Sequence, residues 1–238
     1  MAPLASVTVD ARFRGPPDSG NGGYVAGLLA AFLAEPAEVR LVRPPPLGRP
    51  LDVRRLDDDG LELADGAATL ATVRPAAVDP EVPDAPPYAA AEVAARAYAG
   101  HVAHAAPGCF VCGPGRSPGD GLGIFPGPAE LGGPAGAGVL APWRPDPSLA
   151  GTRGRVRPEF LWAALDCPGY FAFASPGQPM LLGTLAARVD GEVRVGEPCV
   201  VAGWSLGASG RKHRAATALY GGDGRCVARA LAVWIALR

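Results

Sequence analysis

The chain is poor in lysine, histidine, methionine and net charge. Lys212 is the only lysine among 22 basic residues, and there are three histidines and two methionines. With 23 acidic residues the formal charge is −1, which supplies neither a basic field for general nucleic-acid binding nor an acidic tail. A small or locally recognised ligand is expected, and no nucleic acid. No stretch reaches the roughly 18 consecutive apolar residues that cross a bilayer. The first residues also lack the basic-then-apolar pattern of a secretory leader. The five cysteines, at 109, 112, 167, 199 and 226, are odd in number and too sparse for a disulfide framework, so a reducing, cytoplasmic setting is expected.

Glycine (33) and proline (27) are plentiful, yet 48% of residues are hydrophobic and fall into ordered patterns, so the reading is a folded protein. At 238 residues the chain can hold one large domain or two small ones. Residues 5–14, ASVTVDARFR, alternate as a half-buried strand. DSGNGGYVAGLLAAFL at 18–33 then predicts a helix of about thirteen residues ending at Glu35–Pro36, apolar on every side and headed by Asn21, Gly22 and Gly23. EVRLVRP, PLDVRRL, GLELAD and AATLATVRP follow as strands, divided by proline or by the turn signals Asp59–Gly60 and Asp65–Gly66. Residues 81–107 read as a proline-bounded linker with a helix over 89–99. After it the order returns: extended pieces at GLGIFPG and AGVLAPW, one helix over PEFLWAALDCPGYFAFA, then MLLGTLAARV, PCVVAGWSL, HRAATALYG and CVARALAVWIAL as four strands, with hairpin turns at Asp190–Gly191 and Asp223–Gly224.

A helix apolar all round must be surrounded, and one roughly 20 Å long suits the trough of a curved antiparallel sheet. This twice-written layout resembles the hotdog fold, and two units in one chain resemble the double-hotdog acyl-CoA thioesterases. The resemblance implies an α+β chain of two tandem hotdog units, 1–80 and 108–238, joined by 81–107. It further implies an acyl-CoA or acyl-carrier-protein thioester as substrate, no cofactor and the possibility of a homo-oligomer.

The helix start GNGGYVAGLL resembles the segment opening the central helix of hotdog thioesterases. Gly22 and Gly23 let backbone N–H groups approach a ligand, and a helix N-terminus offers unpaired donors and a positive dipole end that could polarise a thioester carbonyl. Asn21 could bond the carbonyl or a water. The bland alternative is that the glycines only allow close packing. In the second half, Asp166 is the one carboxylate inside an apolar helical run, a costly placement unless compensated. Phenylacetate-type hotdog thioesterases carry their acid seven residues after the second glycine of the helix start. Here that spacing leads from Gly23 to Ala30 and back from Asp166 to Glu159, so one half keeps the glycines and the other the acid. The resemblance therefore implies one composite site per chain, with Asp166 as general base or nucleophile; the alternative is an Asp166 that merely caps the break at Cys167–Pro168–Gly169.

Arg211, Lys212 and Arg214 could meet coenzyme A phosphates, or be a solvated strand end. Arg153, Arg155 and Arg157 are weaker candidates for the same task, and Tyr24 and Trp162 could line an acyl pocket or simply fill the core. His101, His104, Cys109 and Cys112 offer zinc-type donors, but their crowded spacing and single Cys-x-x-Cys lead to an expectation of no metal. Three rival readings stand beside hydrolysis. One is a non-catalytic acyl-thioester or lipid binder, and another is a structural module built around zinc. The third, disfavoured because no histidine lies five residues after an aspartate, is an acyl-CoA hydratase or dehydratase.

Overall fold

The computed structural model of the protein describes residues 3–33, 36–57, 59–173 and 179–237. Among the described residues eleven strands form one antiparallel sheet: β1 (Ala5–Thr8), β2 (Ala37–Leu41), β3 (Pro50–Arg55), β4 (Leu61–Asp65), β5 (Ala68–Pro75), β6 (Gly127–Gly132), β7 (Gly136–Trp143), β8 (Met180–Val189), β9 (Cys199–Ser209), β10 (Lys212–Tyr220) and β11 (Cys226–Ala236). Their order is β1-β3-β4-β5-β2-β8-β11-β10-β9-β7-β6. The first five strands and the last six therefore occupy separate halves, joined where β2 pairs antiparallel with β8 from Ala37↔Ala187 to Arg40↔Thr184. Alternation in β2 buries Ala37 and Val39 and exposes Glu38 and Arg40, which places the apolar face of the strand on the core.

The strands between residues 37 and 75 fall where the sequence puts them. Asp65–Gly66 turns β4 into β5 with Gly66 at φ 59°, a conformation glycine adopts without strain. Asp223–Gly224 turns β10 into β11. Asp190–Gly191 does not make a hairpin. The neighbours of β8 are β2 and β11, and β9 lies beyond β10. GLGIFPG is not a strand of the sheet either: Leu122 N–H donates to the Phe110 carbonyl and Ile124 N–H to that of Val111, so this piece pairs with the cysteine loop. Strand β6, unanticipated, starts where GLGIFPG ends. At the N-terminus the expected strand stops at Thr8 and gives way to a 3-10 turn at Ala11–Phe13.

Helix α1 (Gly22–Ala30) is shorter than expected, and the predicted end at Glu35 lies outside the described residues. Seven of its nine residues are buried. Helix α2 (Tyr88–Ala95) ends earlier than expected and is followed by a 3-10 turn at Ala99–His101. It does more than connect: Ala91 and Ala94 pack with Leu140, Val200, Ala202 and Trp204, covering the sheet. The long second helix is broken into α3 (Pro158–Ala164) and α4 (Cys167–Phe171), with Asp166 between them at φ −76°, ψ −80°. Pro168 has no N–H to donate to Ala164, and its ring would strike that carbonyl in a continuous helix. The break therefore follows from the sequence itself.

Candidate functional site

Helices α1 and α3 cross antiparallel and almost backbone to backbone. A Cβ at Gly23 would lie 2.6 Å from Asp166 Cβ and 3.0 Å from the Trp162 carbonyl oxygen; one at Gly27 would lie 2.7 Å from Glu159 Cα and 2.8 Å from Trp162 Cβ. Glycines four apart share one helix face, so they cut a flat track that admits α3. The antiparallel sense brings the corner after α3 to the start of α1. Asp166 thereby meets a helix N-terminus contributed by the other half of the sheet.

Asn21 is the N-cap of α1. Its Oδ1 accepts from Tyr24 N–H at 2.9 Å, which satisfies one first-turn donor. The capping geometry leaves its amide nitrogen aimed away from the helix. Asn21 Nδ2 donates to Asp166 Oδ2 at 2.7 Å, and Gly23 N–H donates to the same oxygen at 2.9 Å. Gly23 is therefore not a donor across a ligand-sized gap; its amide is taken up by the acid. Gly22 lines the adjoining cavity, and its amide belongs to the helical turn that has no intrahelical acceptor.

Asp166 is 2% exposed. Its Oδ1 is buried and accepts no hydrogen bond from the described residues. Burial pushes its carboxyl up to about 7, opposed by the Gly23 bond; Cys109 adds a further upward push and Asn21 a downward pull. One oxygen is thus fixed by two donors while the other keeps its lone pairs, and the residue lines a cavity of about 320 Å3. Apolar side chains from β2, β8, α4 and β11 form most of the wall, among them Leu41, Leu182, Tyr170, Phe171, Trp234 and Ile235. Arg43, His104, Cys109, Cys112 and Cys167 also line it. A largely apolar hollow with a few converging polar groups is the usual form of a small-molecule site.

The sequence candidates divide cleanly. Asn21, Gly22, Gly23 and Asp166 come together. Tyr24 is buried behind them, its ring stacked on Phe13 at 4.3 Å and on Phe160 at 5.7 Å. Trp162 is buried against the glycine track. Arg211, Lys212 and Arg214 are exposed at the β9–β10 end, and none of these five lines the cavity. Arg155 pairs with Glu192 at 2.5 Å on the surface, and Arg157 pairs at 3.3 Å with Glu159, whose side chain is largely covered. His101 is exposed and packs beside Tyr98 and Phe125. It stands apart from the sulfur cluster, which Cys167 joins instead. Cys167 is missed by spacing because it lies 58 residues from Cys109 and meets it only through the fold, at 3.8 Å between sulfurs.

No protein-family model and no curated protein matches the chain. Solved structures do. A protein described as thioesterase II from Thermobifida fusca YX superposes with a TM-score of 0.60 at 15% identity, over 98% of this chain and 93% of its own. An acyl-CoA thioesterase II from Mycobacterium marinum gives 0.60 at 14%, over 98% and 92%. A conserved protein from Alicyclobacillus acidocaldarius, reported to have a hotdog fold, gives 0.54 at 14%, again over 98% and 92%. The chain has a hotdog fold. At these identities the hotdog likeness concerns architecture alone, so the chemistry must be argued from the site.

Proposed function

We propose that the protein hydrolyses an acyl thioester, carried on coenzyme A or on an acyl-carrier protein, at one composite site per chain. On this reading residues 1–80 and 108–238 are tandem hotdog units, each with its sheet wrapped around a helix, and 81–107 links them. The observation that carries the proposal is the pair of bonds to Asp166 Oδ2 from Asn21 and Gly23, made at the wall of an apolar cavity. Two donors on one oxygen orient the carboxylate and leave Oδ1 as the proton acceptor for a water attacking the thioester carbon. The Gly22 amide, at the positive end of α1, is the donor left to polarise the carbonyl oxygen. The apolar wall receives the acyl chain, and the thiolate of the carrier departs toward solvent. Hydratase chemistry finds less support, since the cavity histidine, His104, bonds Cys112 and Ala106 rather than Asp166.

The test is an acyl-CoA panel of aliphatic and aromatic thioesters, read by thiol release, with Asp166→Asn beside the wild type. Removing a positioned base lowers kcat about 10²–10⁴-fold. Full activity in the variant would remove Asp166 from the mechanism. Saturable binding without turnover by the wild type would instead favour a non-catalytic acyl-thioester binder.

A further inference from the structure

We propose that Cys109, Cys112 and Cys167 form a site for one thiophilic divalent cation of the zinc class, with three thiolate ligands and a fourth position supplied from the cavity. The three sulfurs lie within 4.8 Å of one another, and all three residues are buried. Zinc–thiolate bonds of about 2.3 Å in tetrahedral geometry put neighbouring sulfurs about 3.8 Å apart. Cys109 and Cys167 already stand at 3.8 Å, so one ion fits between them with little movement.

The loop that presents Cys109 and Cys112 is folded for this task. Gly113 N–H donates to the Cys109 carbonyl at 2.9 Å. A Cβ on Gly113 would lie 2.5 Å from both the Cys109 nitrogen and its oxygen, so only glycine closes the turn. The loop is fastened from outside by Tyr98, whose hydroxyl donates to the Cys112 carbonyl at 2.7 Å. Cys167, at the first turn of α4 beside the Pro168 break, closes the set from the opposite side.

His104 has a different task. Its Nδ1 accepts from Ala106 N–H at 2.9 Å, so the neutral ring carries its proton on Nε2, 3.3 Å from Cys112 Sγ. That nitrogen donates to the sulfur rather than offering a lone pair to an ion. The geometry therefore assigns His104 a supporting role beside the ligands. A disulfide could join only two of the three sulfurs, whereas a single cation accounts for all of them. All three cysteines line the same cavity as Asp166, and an ion with an open position there would sit beside the proposed reaction site without Asp166 as a ligand.

The experiment uses the full chain, reduced and treated with a chelator, titrated with Co2+ alone and then with Zn2+, and followed by absorption and native mass spectrometry. The expected result is one Co2+ per chain with an intense thiolate-to-cobalt band, abolished by one equivalent of Zn2+. Cys167→Ser weakens Co2+ binding by more than about 10-fold, and His104→Ala weakens it about 10–100-fold without abolishing it. Cys226→Ser binds as the wild type does, and the titration reads metal rather than turnover, so this result stands or falls apart from the hydrolase proposal. Absence of a thiolate band in the reduced wild type, or undiminished binding by Cys167→Ser, overturns the site; the wild-type titration decides even if a variant fails to fold.

Discussion

Gly23→Ala tests the convergence of the two halves more directly than removal of the acid. The new Cβ would lie 2.6 Å from Asp166 Cβ, 3.0 Å from the Trp162 carbonyl oxygen and 3.1 Å from Ala163 Cα. Carbon atoms in good contact sit about 3.5–4.0 Å apart, so α1 and the corner after α3 must separate by roughly 1 Å. Overpacking of this kind costs about 1–3 kcal/mol. Alanine in place of glycine returns at most about 1 kcal/mol of helix propensity. With that propensity returned the net loss is about 0–2 kcal/mol, a fall in Tm of up to roughly 8 °C for a chain of this size. The effect on catalysis is larger. The displaced group carries the N–H that holds Asp166 Oδ2, and a misplacement of about 1 Å can lower the rate about 10²-fold. Thermal unfolding by circular dichroism and kcat/KM on the best thioester of the panel measure the two losses. A Gly23→Ala protein with raised Tm and unchanged kcat/KM would mean that α1 and Asp166 do not touch, and the composite site would fall with that contact.

Asn21→Ser and Asn21→Ala separate the two tasks of Asn21. Serine retains an oxygen for the cap while alanine does not, so Asn21→Ala unfolds at lower denaturant by about 1 kcal/mol, yet both lose the donor to Asp166 and fall together in activity. Gly22→Ala should be milder on stability than Gly23→Ala in the same melts, because its Cβ comes closest to the movable ends of Leu182 and Leu41, each at 2.9 Å, with Leu182 Cβ at 3.3 Å and no backbone atom among them. Since both leucines line the cavity, bulky acyl groups should be the ones whose KM rises. Thr217→Val removes the buried hydroxyl that donates to the Leu165 carbonyl at 2.9 Å, next to the Asp166 corner. Leaving that carbonyl unsatisfied costs about 1–3 kcal/mol, and a variant as stable as wild type in urea would show that this bond does not hold the corner. Single turnover in 18O-labelled water should leave Asp166 unlabelled if it acts as a base; label in its carboxylate would instead indicate attack by Asp166 and an anhydride.

Local signals carried most of the fold. Asp–Gly pairs and two-residue alternation marked β3, β4, β5, β10 and β11 because a turn and a half-buried strand leave their record within a few residues. The same rule failed at Asp190–Gly191, where the turn chemistry is present but the pairing partner is decided by the junction of β8 with β2, a contact between halves that no window of sequence contains. It failed again at GLGIFPG, whose apolar residues satisfy their backbone groups against the cysteine loop. The acid was legible as a carboxylate in an apolar run, and the helix start as an N-cap before two glycines. What joins them is the antiparallel crossing of α1 and α3, and its signature, glycine at 23 and 27 opposite Trp162, lies in two segments more than 130 residues apart.

That crossing also explains why, on the proposed reading, the donor role falls to Gly22 rather than to Gly22 and Gly23 together. Two successive amides facing a substrate would require the acid to stand back by the width of a thioester group. The glycine track removes this space: with no side chain at 23 or 27, α3 closes until Asp166 reaches the first amide within range, Gly23 N–H at 2.9 Å. Any larger residue at 23 would open the gap but leave a buried carboxylate without its backbone partner, and a buried charge that loses a partner is costly. Close packing and a bonded acid are therefore one requirement met by one residue. Gly22, whose neighbours are side-chain ends on the cavity wall, is the position where the helix start can still face a ligand.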